Sequence, residues 1–339
     1  MRPRITAAVL AASLALTLSA CGSDGSSDSA TSAASASATA SNPSQTPTQA
    51  PDVLESADGM PTVGKADDGN PVLEFPDGDA PKGLQISVLE EGKGEEITPE
   101  SIVMVDYVGQ VWGNGEPFDS SFANGNPAGF PLSNLVTGWG YALSGHHVGG
   151  KYIISIPAEY GYGPSGGNDT AGIGADDTIA FYIEVHDGWS SASTGEANAT
   201  VETPADKLPV TLEGDVGSPV TSITVKDGQK APTELGVTVI ARGTGDEVTG
   251  SGSSIFINYA ATSWDGELSE NSWAGEPEGI GGAQQVAIGS GTVFDSLEGL
   301  PVGSRVLLTI PESDGGDDSV SSPAMAAVVD ILGFQKAAG

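Results

Sequence analysis

The chain has 339 residues, a length that predicts two domains with additional tail sequence. It carries 45 acidic and 12 basic residues, for a formal net charge of −33, and such a surface repels nucleic-acid phosphates and anionic lipid. A single cysteine excludes an intrachain disulfide, and three histidines supply a metal site poorly. We therefore expect no metal, no cofactor and no nucleic-acid partner.

Residues 1–20 are typical of a secretory signal peptide. Two arginines precede an apolar stretch, residues 7–18, that is too short to be a stable membrane span. The segment ends in Leu-Ser-Ala-Cys21, which resembles the bacterial lipobox, in which the cysteine thiol is lipidated and becomes the mature N-terminus. We predict lipidation of Cys21 and a lipid-anchored protein at the extracytoplasmic face of the cell membrane. The alternative is an ordinary cleaved signal with an incidental cysteine.

Residues 21–50 consist mainly of Ser, Ala, Thr, Gly, Asn, Gln and Pro. They have almost nothing to bury and are predicted to be a disordered tether, with ends on the order of 30 Å apart. Residues 51–81 are assigned as an N-terminal extension of the first domain.

Short segments with alternating or β-branched apolar residues follow, separated by turns rich in Gly and Asp. They predict strands at 85–90, 101–111, 152–157 and 178–185. A helix is expected only near residues 140–144. The prediction is an antiparallel sheet with one short helix.

A low-complexity stretch, the predicted linker 189–207, divides the rest of the chain, and the same order of features occurs on both sides of it. Val148-Gly-Gly-Lys-Tyr-Ile-Ile-Ser-Ile-Pro157 has a counterpart in Val302-Gly-Ser-Arg-Val-Leu-Leu-Thr-Ile-Pro311. A repeat at a spacing of about 150 residues indicates an internal duplication. Residues 208–336 are predicted to be the second copy.

Residues 82–187 resemble an FKBP-type peptidyl-prolyl cis/trans isomerase domain along essentially their whole length, and we assign 82–188 as that domain. Five motifs in family order carry the resemblance: Val105-Asp-Tyr107-Val-Gly109, Gly115-Glu-Pro-Phe118-Asp119-Ser-Ser121, Val136-Thr-Gly138-Trp139, Ile156-Pro-Ala-Glu-Tyr160-Gly-Tyr162-Gly163 and Thr178-Ile-Ala-Phe181. Each motif alone is a weak signal. The resemblance implies an α+β fold with two FKBP-like domains, each a curved antiparallel β-sheet wrapped on one short helix.

Rotation about an X-Pro bond must cross a barrier of ~18–20 kcal/mol. An apolar cleft that holds the twisted amide better than the planar one lowers this barrier without a nucleophile or a metal. The resemblance implies an aromatic cup with Trp139 as its floor and Phe118 and Phe181 as its walls. The residues implied to be catalytic are Tyr107, Phe118, Asp119, Val136, Trp139, Tyr162 and Phe181.

The resemblance also implies individual roles within this cup. The Val136 backbone N–H and the Tyr162 hydroxyl would donate hydrogen bonds to the substrate, and Asp119, held by Tyr107, would act electrostatically near the rotating carbonyl. Plain core packing for the rings and turn capping for Asp119 are the alternatives. The substrate-binding rim is predicted to include Leu135, Ile173 and Phe130.

The second copy departs from the cup pattern. Phe-Asp-Ser-Ser is replaced by Ser269-Glu-Asn-Ser272, and Thr292-Val293 stands where Gly-Trp is expected. Ala327 falls near the position of the closing phenylalanine. A cup without floor and walls should not hold proline, so we predict that 208–336 is a degenerate FKBP-like domain without catalysis.

The preferred hypothesis is a peptidyl-prolyl isomerase that assists the folding of exported proteins. Its partners would be proline-containing unfolded or extended polypeptides, and an FK506-like ligand could occupy the cup. The alternative is a non-catalytic binding or chaperone lipoprotein that holds extended client segments. A solute-binding lipoprotein is disfavoured, because the chain lacks the long α/β halves that such proteins need.

Overall fold

A computed structural model describes residues 50–274, 280–313 and 321–337. The predicted signal peptide, Cys21 and all but the last residue of the predicted tether lie outside the described residues. In the described ranges, no helix has the length and apolar character needed to cross a membrane.

The first half of the chain is built mainly of strands. They are β1 (Leu54–Glu55), β2 (Thr62–Lys65), β3 (Pro71–Glu74), β4 (Gln85–Glu90), β5 (Ile102–Val111), β6 (Pro117–Ser120), β7 (Ala128–Pro131), β8 (Lys151–Ile156) and β9 (Ile179–Trp189). One α-helix, α1 (Thr137–Leu143), and short 3-10 turns at Leu132–Asn134, Ala158–Tyr160, Gly163–Ser165 and Asp169–Ala171 complete this half. The expected short helix is present but begins three residues before the predicted 140–144.

The second half repeats this pattern. Its strands are β10 (Thr200–Val201), β11 (Val210–Glu213), β12 (Ser222–Val225), β13 (Gly236–Arg242), β14 (Ser254–Ser263), β15 (Ser269–Asn271), β16 (Gln284–Ala287), β17 (Arg305–Ile310) and β18 (Met325–Gln335). Short 3-10 turns occur at Ala205–Lys207 and Val293–Leu297. The expectation of a short α-helix in each half is wrong for the described part of the second half, where the five-residue 3-10 turn at Val293–Leu297 takes its place.

Each half forms a seven-stranded sheet with the same strand order. The first is β1-β4-β8-β9-β5-β6, with β7 also paired to β5, and the second is β10-β13-β17-β18-β14-β15, with β16 also paired to β14. Apart from β1, which runs parallel to β4, the pairs within these two sheets are antiparallel. In the first half, α1 packs its buried Trp139 and Leu143 against one face of the sheet, because alternate residues of each strand point to that face.

The predicted N-terminal extension 51–81 is part of the fold. Its strand β1 joins the sheet edge, and its hairpin β2–β3 covers the face opposite α1. The fully buried Gln110 of β5 fastens the hairpin: the Leu73 N–H donates to Gln110 Oε1 at 2.5 Å, and Gln110 Nε2 donates to the Leu73 carbonyl at 3.3 Å. Both faces of the first sheet are therefore covered.

The segment 189–207 corrects the expectation of a low-complexity linker. Trp189 ends β9, the Ser190 and Ser193 hydroxyls donate to the Glu95 carboxylate, and Thr200–Val201 forms an edge strand of the second sheet. Its small polar residues resemble a linker in composition, but the Ser190 and Ser193 hydroxyls are satisfied within the fold. The second sheet therefore begins before residue 208, the predicted boundary.

The two halves pack closely against each other. The rings of Trp189 and Phe256 stack with their centroids 4.3 Å apart. Two glycines make room for these rings: a Cβ on Gly129 would lie 2.5 Å from Phe256 Cζ, and a Cβ on Gly333 would overlap the Trp189 ring. A hydrogen bond from Gln335 Nε2 to the Pro127 carbonyl, at 3.0 Å, adds a polar contact.

A buried ion pair organises the second half. Arg305 on β17 and Asp330 on β18 are 2% and 0% exposed, and two N–H groups of the guanidinium donate to the carboxylate at 2.6 and 2.8 Å. Arg305 also donates to the carbonyls of Asp215 and Ser218 in the β11–β12 loop. Asp330 accepts from the Gly195 N–H at 2.8 Å. One pair thus connects the sheet, the hairpin and the segment between the halves.

Replacing Arg305 by methionine should lower the free energy of unfolding by about 3–5 kcal/mol, because Asp330 would be left buried without its cationic partner. Chemical denaturation of the full chain measures the change. Arg242→Met is the matched control: its pair with Glu202 is exposed, so a change below about 1 kcal/mol is expected. Equal effects of the two substitutions would contradict the assigned role of Arg305.

Candidate active site

The predicted aromatic residues meet on the α1 side of the first sheet. The Trp139 and Phe181 rings lie edge to face with centroids 5.0 Å apart, and Phe118 meets Phe181 in the same way at 5.6 Å. Trp139 and Phe181 are 3% and 5% exposed, whereas Phe118 is half-buried and Asp119 is exposed. The rings therefore form a cup whose deep side is Trp139 and which is open to solvent beside Asp119.

Gly109 on β5 makes this cup possible. From the sequence, this glycine is named only as part of a motif, and no role is predicted for it. It pairs with Phe181 on one side and Asp119 on the other. A Cβ at this position would lie 2.5 Å from Phe181 Cε1 and 2.7 Å from Phe118 Cζ. The motif Tyr107-Val-Gly109 contained a signal for this role, because it places a glycine inside a buried strand. Glycine in a strand interior often marks a site where another group approaches the backbone closely.

Tyr107 and Asp119 form a polar contact beside the rings. The Tyr107 hydroxyl donates to Asp119 Oδ2 at 2.6 Å. Burial raises the pKa of the Tyr107 phenol above its ordinary value of 10.0, and the hydrogen bond and negative charge of Asp119 raise it further. The phenol therefore stays protonated and keeps donating to the carboxylate throughout the neutral range.

A second hydrogen-bond chain fixes the backbone of Tyr107. Its N–H donates to the Ser121 hydroxyl at 2.8 Å, and that hydroxyl donates to Asp106 Oδ1 at 2.8 Å. Asp106 Oδ2 lies 2.8 Å from His186 Nε2. Since Ser121 follows Asp119 by two residues, the same strand end positions both the carboxylate and the tyrosine that holds it.

Val136 and Tyr162 lie at the rim of the cup. Val136 precedes α1 with extended backbone angles, and its N–H makes no hydrogen bond to another described residue, so it is free to donate. Burial raises the pKa of Tyr162, a hydrogen bond from Asn168 lowers it, and the charge of Asp119 raises it again. Both groups suit donation of a hydrogen bond to a carbonyl.

The three predicted substrate-binding residues lie in different environments. Phe130 on β7 packs edge to face on Tyr107 at 5.6 Å, and Leu135 is half-buried beside α1. Ile173, in contrast, is 2% exposed, and its backbone bridges to Asn168. Ile173 lies in the same core cluster as the equally buried Trp139 and Phe181, and its substrate-binding role stays a prediction.

Comparison with known proteins identifies the family of this chain. A family model described as FKBP-type peptidyl-prolyl cis-trans isomerase matches residues 93–186. A probable FK506-binding protein of Corynebacterium glutamicum is 40% identical over 116 residues, which are 34% of this chain and 95% of that protein. An FK506-binding protein of Streptomyces anulatus is 37% identical over 98 residues, which are 28% of this chain and 79% of that protein. The chain belongs to the FKBP-type peptidyl-prolyl cis-trans isomerase family.

This FKBP-type chain is thus a peptidyl-prolyl cis/trans isomerase, and the matched range 93–186 contains every residue assigned above to the cup. The crystal structure of FkpA from Escherichia coli is 36% identical over 31% of this chain and 48% of that chain, with a TM-score of 0.29. The match therefore spans less than half of FkpA. The sheet-rich α+β fold with few helices is that of the FKBP family.

The second half of this FKBP-type chain keeps the polar contact at the matching register. Ala261 pairs with Ala327 and Glu270, as Gly109 pairs with Phe181 and Asp119. The Tyr259 hydroxyl donates to Glu270 Oε2 at 2.9 Å. Alanine at 327 and serine at 269 therefore stand where the two wall rings stand in the first half.

The floor of the second half differs from the expectation. Counting along the sequence placed Val293 at the position of Trp139. In the structure the Phe294 ring lies beside Tyr259, with centroids 6.3 Å apart. Val293 and Phe294 both belong to the 3-10 turn Val293–Leu297, and both are buried in the core of the second half. The second half has an aromatic floor and lacks the walls.

Gly109→Ala in the FKBP-type isomerase should lower kcat/KM about tenfold or more, because the added methyl group displaces both wall rings. A protease-coupled or refolding isomerase assay on the full chain measures it. Gly115→Ala is the control, since nothing lies within 4 Å of a Cβ there. Unchanged activity in Gly109→Ala would show that the wall rings do not have to be held in this geometry.

Proposed function

We propose that the first half catalyses X-Pro isomerisation in extended segments of exported proteins and so assists their folding. The aromatic cup opening beside Asp119 carries this proposal. An apolar, water-poor cup favours the twisted amide, whose carbonyl has lost much of its dipole, over the planar one. Substrate prolines bind between the walls Phe118 and Phe181, above Trp139.

The polar groups complete this proposal. The Val136 N–H and the Tyr162 hydroxyl hold the substrate by hydrogen bonds, and Asp119 acts by its charge near the rotating carbonyl. Tyr107 positions Asp119 through the 2.6 Å hydrogen bond. Asp119 is exposed on one side and held on the other, as suits electrostatic stabilisation and not proton abstraction. An FK506-like ligand would fill the same cup.

We further propose that the chain contains two FKBP-like domains in tandem, the second of which is degenerate. The equal strand order of the two sheets and the matching Tyr259–Glu270 contact support this view. Without wall rings, the second domain holds no proline and contributes no isomerase activity. It serves instead in binding or in holding the first domain.

Asp119→Asn should lower the isomerase activity of the full chain about tenfold or more, since it removes the charge beside the rotating carbonyl. Glu270→Gln is the matched control in the second half, and we expect it to change activity by less than about twofold. Adding Phe118→Ala to Asp119→Asn should remove nearly all remaining turnover. Substantial activity in that double variant would place isomerisation in the second half as well.

The location at the outer face of the cell membrane is also a proposal, supported by the signal-like residues 1–20 and the lipobox-like sequence at Cys21. We expect mass spectrometry of the mature N-terminal peptide to find a lipidated cysteine. Cys21→Ser should release the protein from the membrane fraction, because a serine hydroxyl cannot form the thioether. An unmodified Cys21 in membrane-associated protein would refute the anchor.

A further inference from the structure

A cleft of about 320 Å³ lies where the two halves meet, away from the cup. Its volume is within the range of small-ligand sites. Its apolar part is formed by Met104, Trp189, Val302, Leu332 and Phe334. Its polar part is formed by His186, Asp187 and Asp246.

The apolar floor is held in place by packing between the halves. Trp189 and Leu332 are 7% and 8% exposed and belong to the cluster that contains Phe256. The Trp189 ring stacks on Phe256 and crosses over Gly333, where any side chain would overlap the indole. The cleft therefore exists only when both halves are docked, and its floor is preformed.

The edge of the cleft carries negative charge from both halves. Asp187 extends from β9 and Asp246 from the loop after β13, and neither forms an ion pair with another described residue. Burial raises the pKa of Asp187, the hydrogen bond from the Gly188 N–H lowers it, and the nearby charge of Glu95 raises it. His186 is held by Asp106 at 2.8 Å. Asp187 and Asp246 are both exposed, so their carboxylates are accessible to a ligand from solvent.

We propose that this cleft binds a lysine or arginine side chain of an extended polypeptide. The aliphatic stem lies on the apolar floor and the cation lies between Asp187 and Asp246. An acidic side chain would be repelled, and a purely apolar one would desolvate the carboxylates without compensation. With 12 basic residues against 45 acidic ones, the chain has few cations of its own to neutralise this edge.

This site is separate from the proposed isomerase function. Met104 of the cleft and Tyr107 of the cup both lie on β5 but belong to different packed clusters on opposite faces of the strand. A basic residue of a client can therefore be held whether or not a proline occupies the cup. The cleft adds a charge preference that the ring-lined cup does not have.

Two labelled, proline-free peptides test the proposal with the full chain. They are identical except for a central lysine or norleucine, so they differ in the ammonium group and share the stem. Fluorescence anisotropy should give a Kd about tenfold lower for the lysine peptide. Raising sodium chloride from about 0.05 M to about 0.5 M should weaken only the lysine peptide.

The combination of Asp187→Asn and Asp246→Asn should abolish the preference while isomerase activity is retained. Asp67→Asn with Asp77→Asn is the matched control: it makes the same charge change at exposed positions of the first half and should keep the preference. Equal Kd values for the two peptides with the native chain, or an unchanged preference in the Asp187/Asp246 variant, overturn the proposal. If that variant does not fold, the salt response of the native chain decides, and an equal response of both peptides overturns it. Phe118→Ala, which disables the cup, should leave the preference intact.

Discussion

The aromatic cup depends on the absence of one side chain. Because Gly109 has no Cβ, two rings from different strands, Phe118 and Phe181, can meet over β5 and stand above Trp139. The strand pairing alone would bring Phe181 and Asp119 to either side of residue 109 in any case. A glycine at position 109 leaves space for the Phe118 and Phe181 rings to form a cup, whereas a larger side chain would fill that space. Isomerisation needs no proton transfer, so in the proposed mechanism the shape and polarity of this space lower the barrier.

Comparison of the two halves distinguishes the contacts that maintain the fold from the side chains that form the cup. Both keep the hydrogen bond from the tyrosine hydroxyl to the carboxylate. In both, a serine hydroxyl also accepts a hydrogen bond from the tyrosine backbone N–H at 2.8 Å. These contacts connect the edge strand to its neighbour and are present in both halves, with or without the wall rings. The wall rings contribute to the cup and are replaced in the second half by Ser269 and Ala327. Ala261 stands at the position of Gly109, where its partners Glu270 and Ala327 bring no ring against it.

Much of this could be predicted from the sequence, because period-2 patterns and Gly-rich turns define strands locally. The four predicted strands of the first half lie within a few residues of their observed positions, and the motif residues Tyr107, Asp119 and Trp139 come together as expected. The linker was misjudged, since composition alone does not show that the Ser190 and Ser193 hydroxyls are satisfied by Glu95. The burial of Ile173 depends on the path of a long loop. Phe294 was missed because counting along the sequence does not show which ring of the 3-10 turn Val293–Leu297 lies beside Tyr259.

The contact between the halves could not be predicted from the sequence, because it is made by single residues that lie far apart in the chain. Trp189 reads as the start of a polar linker, and Phe256 reads as one more core residue of a strand. Their stacking needs Gly129 and Gly333 on opposite halves, and none of these four positions is informative alone. Since Trp189 directly continues β9, which carries Phe181, a disturbance of this contact reaches the strand that supplies a wall of the cup. The second half is therefore connected by direct packing to the strand that carries Phe181.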